Sequence, residues 1–262
     1  MMRGMWSAAA GMSAQSQNMD VISNNLANVN TSGYKRARAE FQDLLYQTIN
    51  LAGTNSSTNT TLPTGIQLGH GAKLQAVVHQ FTQGNFRNTA GTFDMAISGQ
   101  GFFQLTLPDG TIGYTRDGAF SIDQNGTIVN PAGYELNPQI TIPQDALDVT
   151  IARDGTVTVT QPGQALPQEI GQITLVNFIN PAGLNHIGSN IVLQTQASGD
   201  PIEGQPGADG LGTVVQGFLE MSNVDIADEM VNMIVGQRAY EANSKTIRTV
   251  DDMLALVTNL KR

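Results

Sequence analysis

Residues Met5–Leu26 read MWSAAAGMSAQSQNMDVISNNL, and their apolar side chains recur at Met5, Met12, Met19 and Leu26. The step is seven residues, with Ala9 and Ile22 filling the alternate positions. Steps of three and four put these side chains on one face of an α-helix. Gln15, Gln17, Asn18 and Asn24 take the opposite face. A stripe this narrow, at 3.5-residue spacing, is the seam of a coiled coil, which wants one partner helix rather than a broad core. The helix is expected from about Met2 to Val29.

The other end of the chain carries a second stripe. From Val224 to Leu260 it passes through Ile226, Met230, Met233, Tyr240, Ile247, Leu254 and Val257, interrupted by Gln237 and Ser244. Ser222 or Asn223 is placed to cap this helix, and Asp225, Asp228 and Glu229 fall in its first turn, where the helix dipole favours negative charge. Lys261 and Arg262 close its far end. At 1.5 Å per residue it is roughly 55 Å long, more than a domain of this size buries. The simplest arrangement pairs the termini as a coiled coil and covers the surplus against other copies. Head-to-tail contacts of that kind propagate as open helical assemblies when the rotation does not close. A helical hairpin on a soluble monomer is the alternative, but the unequal lengths leave much of the C-terminal helix unpaired.

Between the helices the pattern turns to short β runs: Thr111–Tyr114, Phe120–Ile122, Thr127–Val129, Val149–Ala152, Thr156–Thr160, Ile173–Phe178 and Ile191–Gln194. Asp109-Gly110, Asp117-Gly118, Asn125-Gly126 and Asp154-Gly155 punctuate them, each able to supply the positive φ angles of a tight hairpin turn. The fold class is therefore α+β, with terminal helices paired as a coiled coil around a central antiparallel β-rich domain. The expected divisions are 1–46 with the first helix, 47–71 as an extended segment, 72–215 as the β-rich domain, and 216–262 with the second helix. Ala52–Thr64, AGTNSSTNTTLPT, is small and polar, and composition alone predicts a flexible loop there.

Composition narrows the function. The net charge of −9 argues against nucleic acid as a partner, because phosphate binding needs a surplus of Lys and Arg. The acid is concentrated centrally: residues 50–215 hold twelve Asp/Glu against Lys73, Arg87, Arg116 and Arg153. There is no cysteine, which removes disulfides and thiolate chemistry. No apolar run approaches the roughly 20 residues that span a bilayer, so no membrane insertion is expected. Met1–Met12 imitates a secretory signal, but its apolar stretch is short and continues into the amphipathic helix, so it is read as mature structure.

Catalytic constellations are not found. His70, His79 and His186 are scattered, and no HExxH, P-loop or GxSxG motif occurs. Gly99-Gln100-Gly101 lacks the third glycine of a dinucleotide fingerprint and reads as a strand start with close backbone approach. Asp123-Gln124-Asn125-Gly126 has Ala132 where a calcium loop needs glutamate, so it reads as a hairpin. No catalytic residue, cofactor or metal is expected. Five of the ten methionines lie within residues 1–19, and Met5, Met12 and Met19 among them are at heptad spacing, as adaptable seam residues.

Four motifs then resemble the flagellar rod and hook protein family. Asn24-Asn25-Leu26-Ala27-Asn28 with Thr31-Ser32-Gly33-Tyr34-Lys35 is similar to its N-terminal signature. Asp94–Phe103 and Tyr114–Phe120 are similar to its central motifs, and Gln237-Arg238-Ala239-Tyr240-Glu241-Ala242-Asn243-Ser244-Lys245 to its C-terminal signature. Physically, the first string ends a helix: its asparagines are suited to bond freed carbonyls, and Gly33 accepts the turn. FQDLLYQT at Phe41–Thr48, followed by Thr61-Leu62-Pro63-Thr64-Gly65, looks like the distal-rod branch. The resemblance implies a structural, self-polymerising subunit rather than an enzyme, with the termini as inner tube and the β domain outside. It also implies that the Gln47–Gly71 excursion packs between subunits and keeps the rod straight. Its implied partners are further copies of itself, proximal rod proteins, the hook protein and the surrounding P and L ring proteins. The implied location is the basal body across the periplasm, reached by type III export without a cleaved signal. An adhesive β module remains the alternative of a different class, and a proximal-rod or hook subunit the alternative within the family.

Overall fold

The computed structural model describes residues 2–51, 55–57, 60–61, 63–163 and 166–259. It is α+β, with one long helix at each end of a β-rich middle. The chain divides into two compact units, one of Met1–Ala27, Ala37–Val78 and Asp225–Arg262, the other of Asn28–Arg36 and His79–Val224.

In the first unit, α1 (Met2–Ala27) and α2 (Ile226–Asn259) lie side by side. A Cβ added to Gly11 would sit 2.9 Å from Asn243 Nδ2, and one added to Gly236 would sit 3.4 Å from Met19 Cγ. Ascending positions on α1 thus face descending positions on α2, and the helices run antiparallel. Ala8, Ala14 and Ile22 of α1 and Val250 of α2 are buried. Asp225 caps α2, its Oδ1 accepting the N–H of Ala227 at 2.8 Å and of Asp228 at 3.4 Å. The expected caps are thereby corrected: Ser222 Oγ accepts from Val224 N–H, and the Asn223 amide donates to the carbonyls of Gln80 and Thr82. Asp225 wins because it immediately precedes the first helical residue and adds charge to its hydrogen bonds. Leu260, Lys261 and Arg262, read as the helix end, lie outside the described residues.

The same unit holds a long β-ribbon. Ala37–Asp43 pairs with Ala72–His79, and Tyr46–Asn50 runs antiparallel to Ile66–Gly69. Asn55–Ser57 pairs with Thr60–Thr61. The loop expected over Ala52–Thr64 is thereby corrected at those strands, while residues 52–54, 58–59 and 62 lie outside the described residues. Composition misled because it measures core-forming capacity, whereas a ladder needs only facing backbone groups and tolerates β-branched threonine well.

The second unit is antiparallel throughout its ladders. Phe102–Thr106 is central: one edge pairs with Ile112–Thr115, the other with Leu175–Asn177 at Phe102–Phe103 and Glu135–Asn137 at Gln104–Thr106. A three-stranded sheet of Asp148–Ile151, Thr156–Thr160 and Gln168–Gln172 lies in the same unit. Adjacent strand residues point to opposite faces. Phe103 and Leu175 accordingly enter a core with Met95, Ile97, Leu105 and Val157, while Phe102 and Val176 join Tyr114, Phe178 and Leu184. Gly110, Gly126 and Gly155 have φ of 78°, 80° and 82°, as Asx-Gly turns require. Asp117-Gly118 differs. Gly118 has no left-handed φ, but a Cβ there would overlap the Met95 carbonyl oxygen.

Two late strands complete this unit. Thr213–Gln216 pairs with Met95–Ser98, and Phe218–Glu220 pairs with Phe86–Asn88. They carry the fully buried Val214 and bring Glu220 into the interior.

Candidate functional site: the helix faces and the Glu220 junction

Heptad residues of α1 are covered to different depths, with Met19 against Gly236 of α2. Ile22 is buried, and Met5, Met12, Met19 and Leu26 are half-buried. On α2 the less exposed row is Glu229, Met233, Gly236, Ala239, Asn243, Ile247, Val250 and Leu254, spaced by fours and threes. Hydropathy does not reveal that row, because Glu, Gly and Asn interrupt it. Met230, Tyr240 and Val257 stand exposed on the subunit instead, as do Ile226, Val231, Ile234 and Val235. Ile226, Met230 and Ile234 fall on one helical row, with Val231 and Val235 on the next, so the first turns of α2 present a continuous apolar face.

The N-terminal motif joins backbone to backbone. Asn25 is buried, and its amide donates to Ala37 O at 2.8 Å while its Oδ1 accepts from Ala37 N–H at 2.9 Å. Asn25 thus engages both backbone groups of a strand residue. Asn28 Oδ1 accepts from Thr31 Oγ1, and the Asn24 side chain is exposed. Gly33 has φ +69°, and a Cβ there would lie 2.6 Å from Asp117 N. Both the conformation and the close approach require glycine. Tyr34 is half-buried. In the C-terminal motif Gln237 and Arg238 face solvent, Arg238 pairing with Glu241 at 2.9 Å, whereas Asn243 meets Gly11.

Glu220 is the junction that the sequence did not reveal. Its Oε1 accepts from Lys35 Nζ at 2.6 Å and from Gly84 N–H at 2.8 Å, and its Oε2 accepts from Arg116 Nε at 2.7 Å. Its backbone oxygen accepts from Gly33 N–H at 2.8 Å. Lys35 donates also to Thr82 O, and Arg116 to the carbonyls of Gly101, Ile97 and Gly99. One carboxylate thus ties the N-terminal motif, the central Tyr114–Phe120 motif and the C-terminal segment together. Burial alone raises the Glu220 pKa, but Arg116, Lys35 and the Gly84 N–H outweigh it and hold the carboxyl below its ordinary value. Burial lowers the Lys35 pKa, with Glu220 opposing.

Beside the junction, His79 and His186 stack with ring centroids 3.8 Å apart, and His79 Nδ1 lies 3.1 Å from Lys35 O. Burial and then the neighbouring His79 lower the His186 pKa from 6.5 to about 4. Burial raises that of Asp117, with Asn190 and the Ala119 N–H opposing. The signs set an acid response. A lowered histidine pKa makes the folded state bind fewer protons than the unfolded state between 6.5 and about 4, so stability falls with pH across that window. Asp117 opposes the fall, since its protonation is easier when folded. Below the ordinary glutamate value, protonation of Glu220 removes the junction's charge and a second loss begins. We expect calorimetry of the second unit to show this two-stage decline, with His186→Gln abolishing the upper stage. An unchanged upper stage in that variant would remove the histidine from the account. The solvent-facing edge of His186 keeps its contribution small.

Among the described residues, no group of three or more His, Cys, Asp or Glu is placed to hold a metal, and no helix is long and apolar enough to cross a membrane. What stands out is, in the first unit, a pair of terminal helices with an uncovered apolar face and, in the second, one buried carboxylate that ties three chain segments together. That is the design of an assembly subunit, and family comparison gives its class. Residues 5–35 match the flagella basal body rod protein family, 96–159 the flagellar hook protein FlgE/F/G D1 domain, and 215–260 the flagellar basal body rod FlgEFG protein C-terminal family. The chain is 52% identical to the flagellar basal-body rod protein FlgG of Buchnera aphidicola subsp. Schizaphis graminum, over 99% of this chain and all of that one. Identity is 52% to the FlgG of Borreliella burgdorferi over the full length of both, and 48% to that of Caulobacter vibrioides over 99% of this chain and all of that one. The chain belongs to the FlgG family of flagellar basal-body rod proteins, and it is a structural rod subunit of the basal body.

Proposed function

We propose that this subunit polymerises into the distal rod, a rigid hollow helical shaft that carries motor torque to the hook. In this reading α1 and α2 pair as an antiparallel coiled coil, the helical unit of 1–46 and 216–262 lines the inner tube, and the β-rich residues form the outer layer. The observation that carries it is the apolar face of α2 at Ile226, Met230, Val231, Ile234 and Val235, which α1 leaves open. A second copy is its occupant, because a homopolymer presents the same face on every subunit and the family is that of a rod. The ribbon supports the same reading: Leu45, Tyr46, Ile49, Ile66 and Leu68 are exposed along it, suiting burial between neighbours that keeps the rod straight.

The neighbours are then proximal rod proteins at one end, the hook protein at the other, and the P and L rings around the shaft within the periplasm. In the same reading the subunit reaches that position through the flagellar type III export channel. Met19→Asp or Ile247→Asp places a charge between the helices. Each is expected to abolish sedimentable assemblies while the second unit keeps its unfolding transition. Normal assembly by either variant would refute the seam.

A further inference from the structure

The methionines of this chain differ sharply in access. Met95 is fully buried, and Met5, Met12, Met19, Met221 and Met233 are half-buried. Met230 is 52% and Met253 44% exposed, both on α2. Met230 sits amid the open apolar face, flanked along its row by Ile226 and Ile234 and beside Val231.

We propose that Met230 is an oxidation-sensitive site at which conversion to the sulfoxide blocks subunit addition. The inference rests on the reading that sister subunits cover this face. The oxidant is a peroxide: the thioether sulfur attacks the distal peroxide oxygen, the O–O bond breaks, and hydrogen peroxide leaves as water. Sulfur is oxidised by two electrons, the peroxide O–O bond is reduced by the same two, and the proton on the transferred oxygen passes to the departing hydroxide to form that water. The product replaces a flexible apolar side chain with a strong dipole. In water that dipole is solvated. Against apolar neighbours it has no partner, so the addition step bears its desolvation. Free subunits are therefore the vulnerable form, and an assembled shaft shields the sulfur. Methionine sulfoxide reductase restores the thioether, which makes the block reversible.

The test uses the full-length protein, with hydrogen peroxide as oxidant, peptide mass spectrometry to locate sulfoxides, and sedimentation to measure the critical concentration. Peroxide-treated wild-type subunits are expected to carry sulfoxide at Met230 and Met253 before Met95. Their critical concentration should rise about tenfold or more, equivalent to 1.4 kcal/mol or more per addition, and fall back after reductase treatment. Each variant is compared with its own untreated form. Met230→Leu should shift less than twofold, while Met253→Leu should respond like wild type. A wild-type critical concentration indifferent to peroxide overturns the proposal, as does an undiminished shift in Met230→Leu. Peroxide applied to preformed assemblies separates this from the underlying reading. Protection of Met230 there keeps the covered face even if the block fails, whereas oxidation at the free-subunit rate overturns both.

Discussion

Glu220→Ala is expected to destabilise the second unit by about 3–5 kcal/mol, measured by urea unfolding, because it leaves two buried cations without their anion. Lys35 and Glu220 have side-chain exposures of 3% and 0%, so water cannot replace the lost partner. The loss also removes the acceptor for Gly84 N–H, and an unsatisfied buried donor costs in its own right. Glu220→Gln separates charge from shape. It keeps an acceptor oxygen but not the charge, and should recover only a minor part of the loss. Full stability in Glu220→Gln would mean that hydrogen bonding alone holds the junction. Assembly should fall with stability in both variants, since the chain passes from this junction directly into α2.

Gly118→Ala is the second large effect, about 3 kcal/mol, at the upper end for overpacking. The obstacle is the Met95 carbonyl, a backbone group inside a ladder, so no side-chain rotation relieves it. Met95 N–H donates to Gly118 O at 3.0 Å, and opening this approach would also stretch that bond. Gly4→Ala is the matched control. It lies in α1 with nothing within 4 Å of the added carbon, and alanine there should stabilise the helix by about 0.5–1 kcal/mol. Equal effects at both sites, in thermal unfolding, would sink the steric argument.

Both effects arise where distant segments meet, and that explains what the sequence could disclose. The seven-residue steps at Met5, Met12, Met19 and Leu26 announce a helix because the signal lies within one element. Thr156–Thr160 is an alternating run, and the structure has a strand over the same residues with Val157 and Val159 buried. Asn125-Gly126 announces a turn because two residues suffice to make it. Features that depend on a distant partner are not legible in this way. Asp117-Gly118 carries the same dipeptide signal as the other turns, yet its glycine serves a close approach to Met95. The first helix ends at Ala27, inside the asparagine string that announces it, but the bonds from Asn25 to both backbone groups of Ala37 are not legible there. Phe218–Glu220 offered only three residues, too few for a period, and its role depends on the strand Phe86–Asn88 beside it.

The amino-acid order by itself determined the two amphipathic ends, the antiparallel β middle with its glycine turns, and the motifs that resemble the rod family. Those properties are local, fixed by backbone sterics and by side-chain period within a few residues. Only the tertiary structure decided which side of α2 meets α1, that residues 55–57 and 60–61 form strands, and that Glu220 joins Lys35 and Arg116 from 185 and 104 residues away. A buried charge finds its partners through the whole fold's exclusion of water, and no window along the chain contains that information.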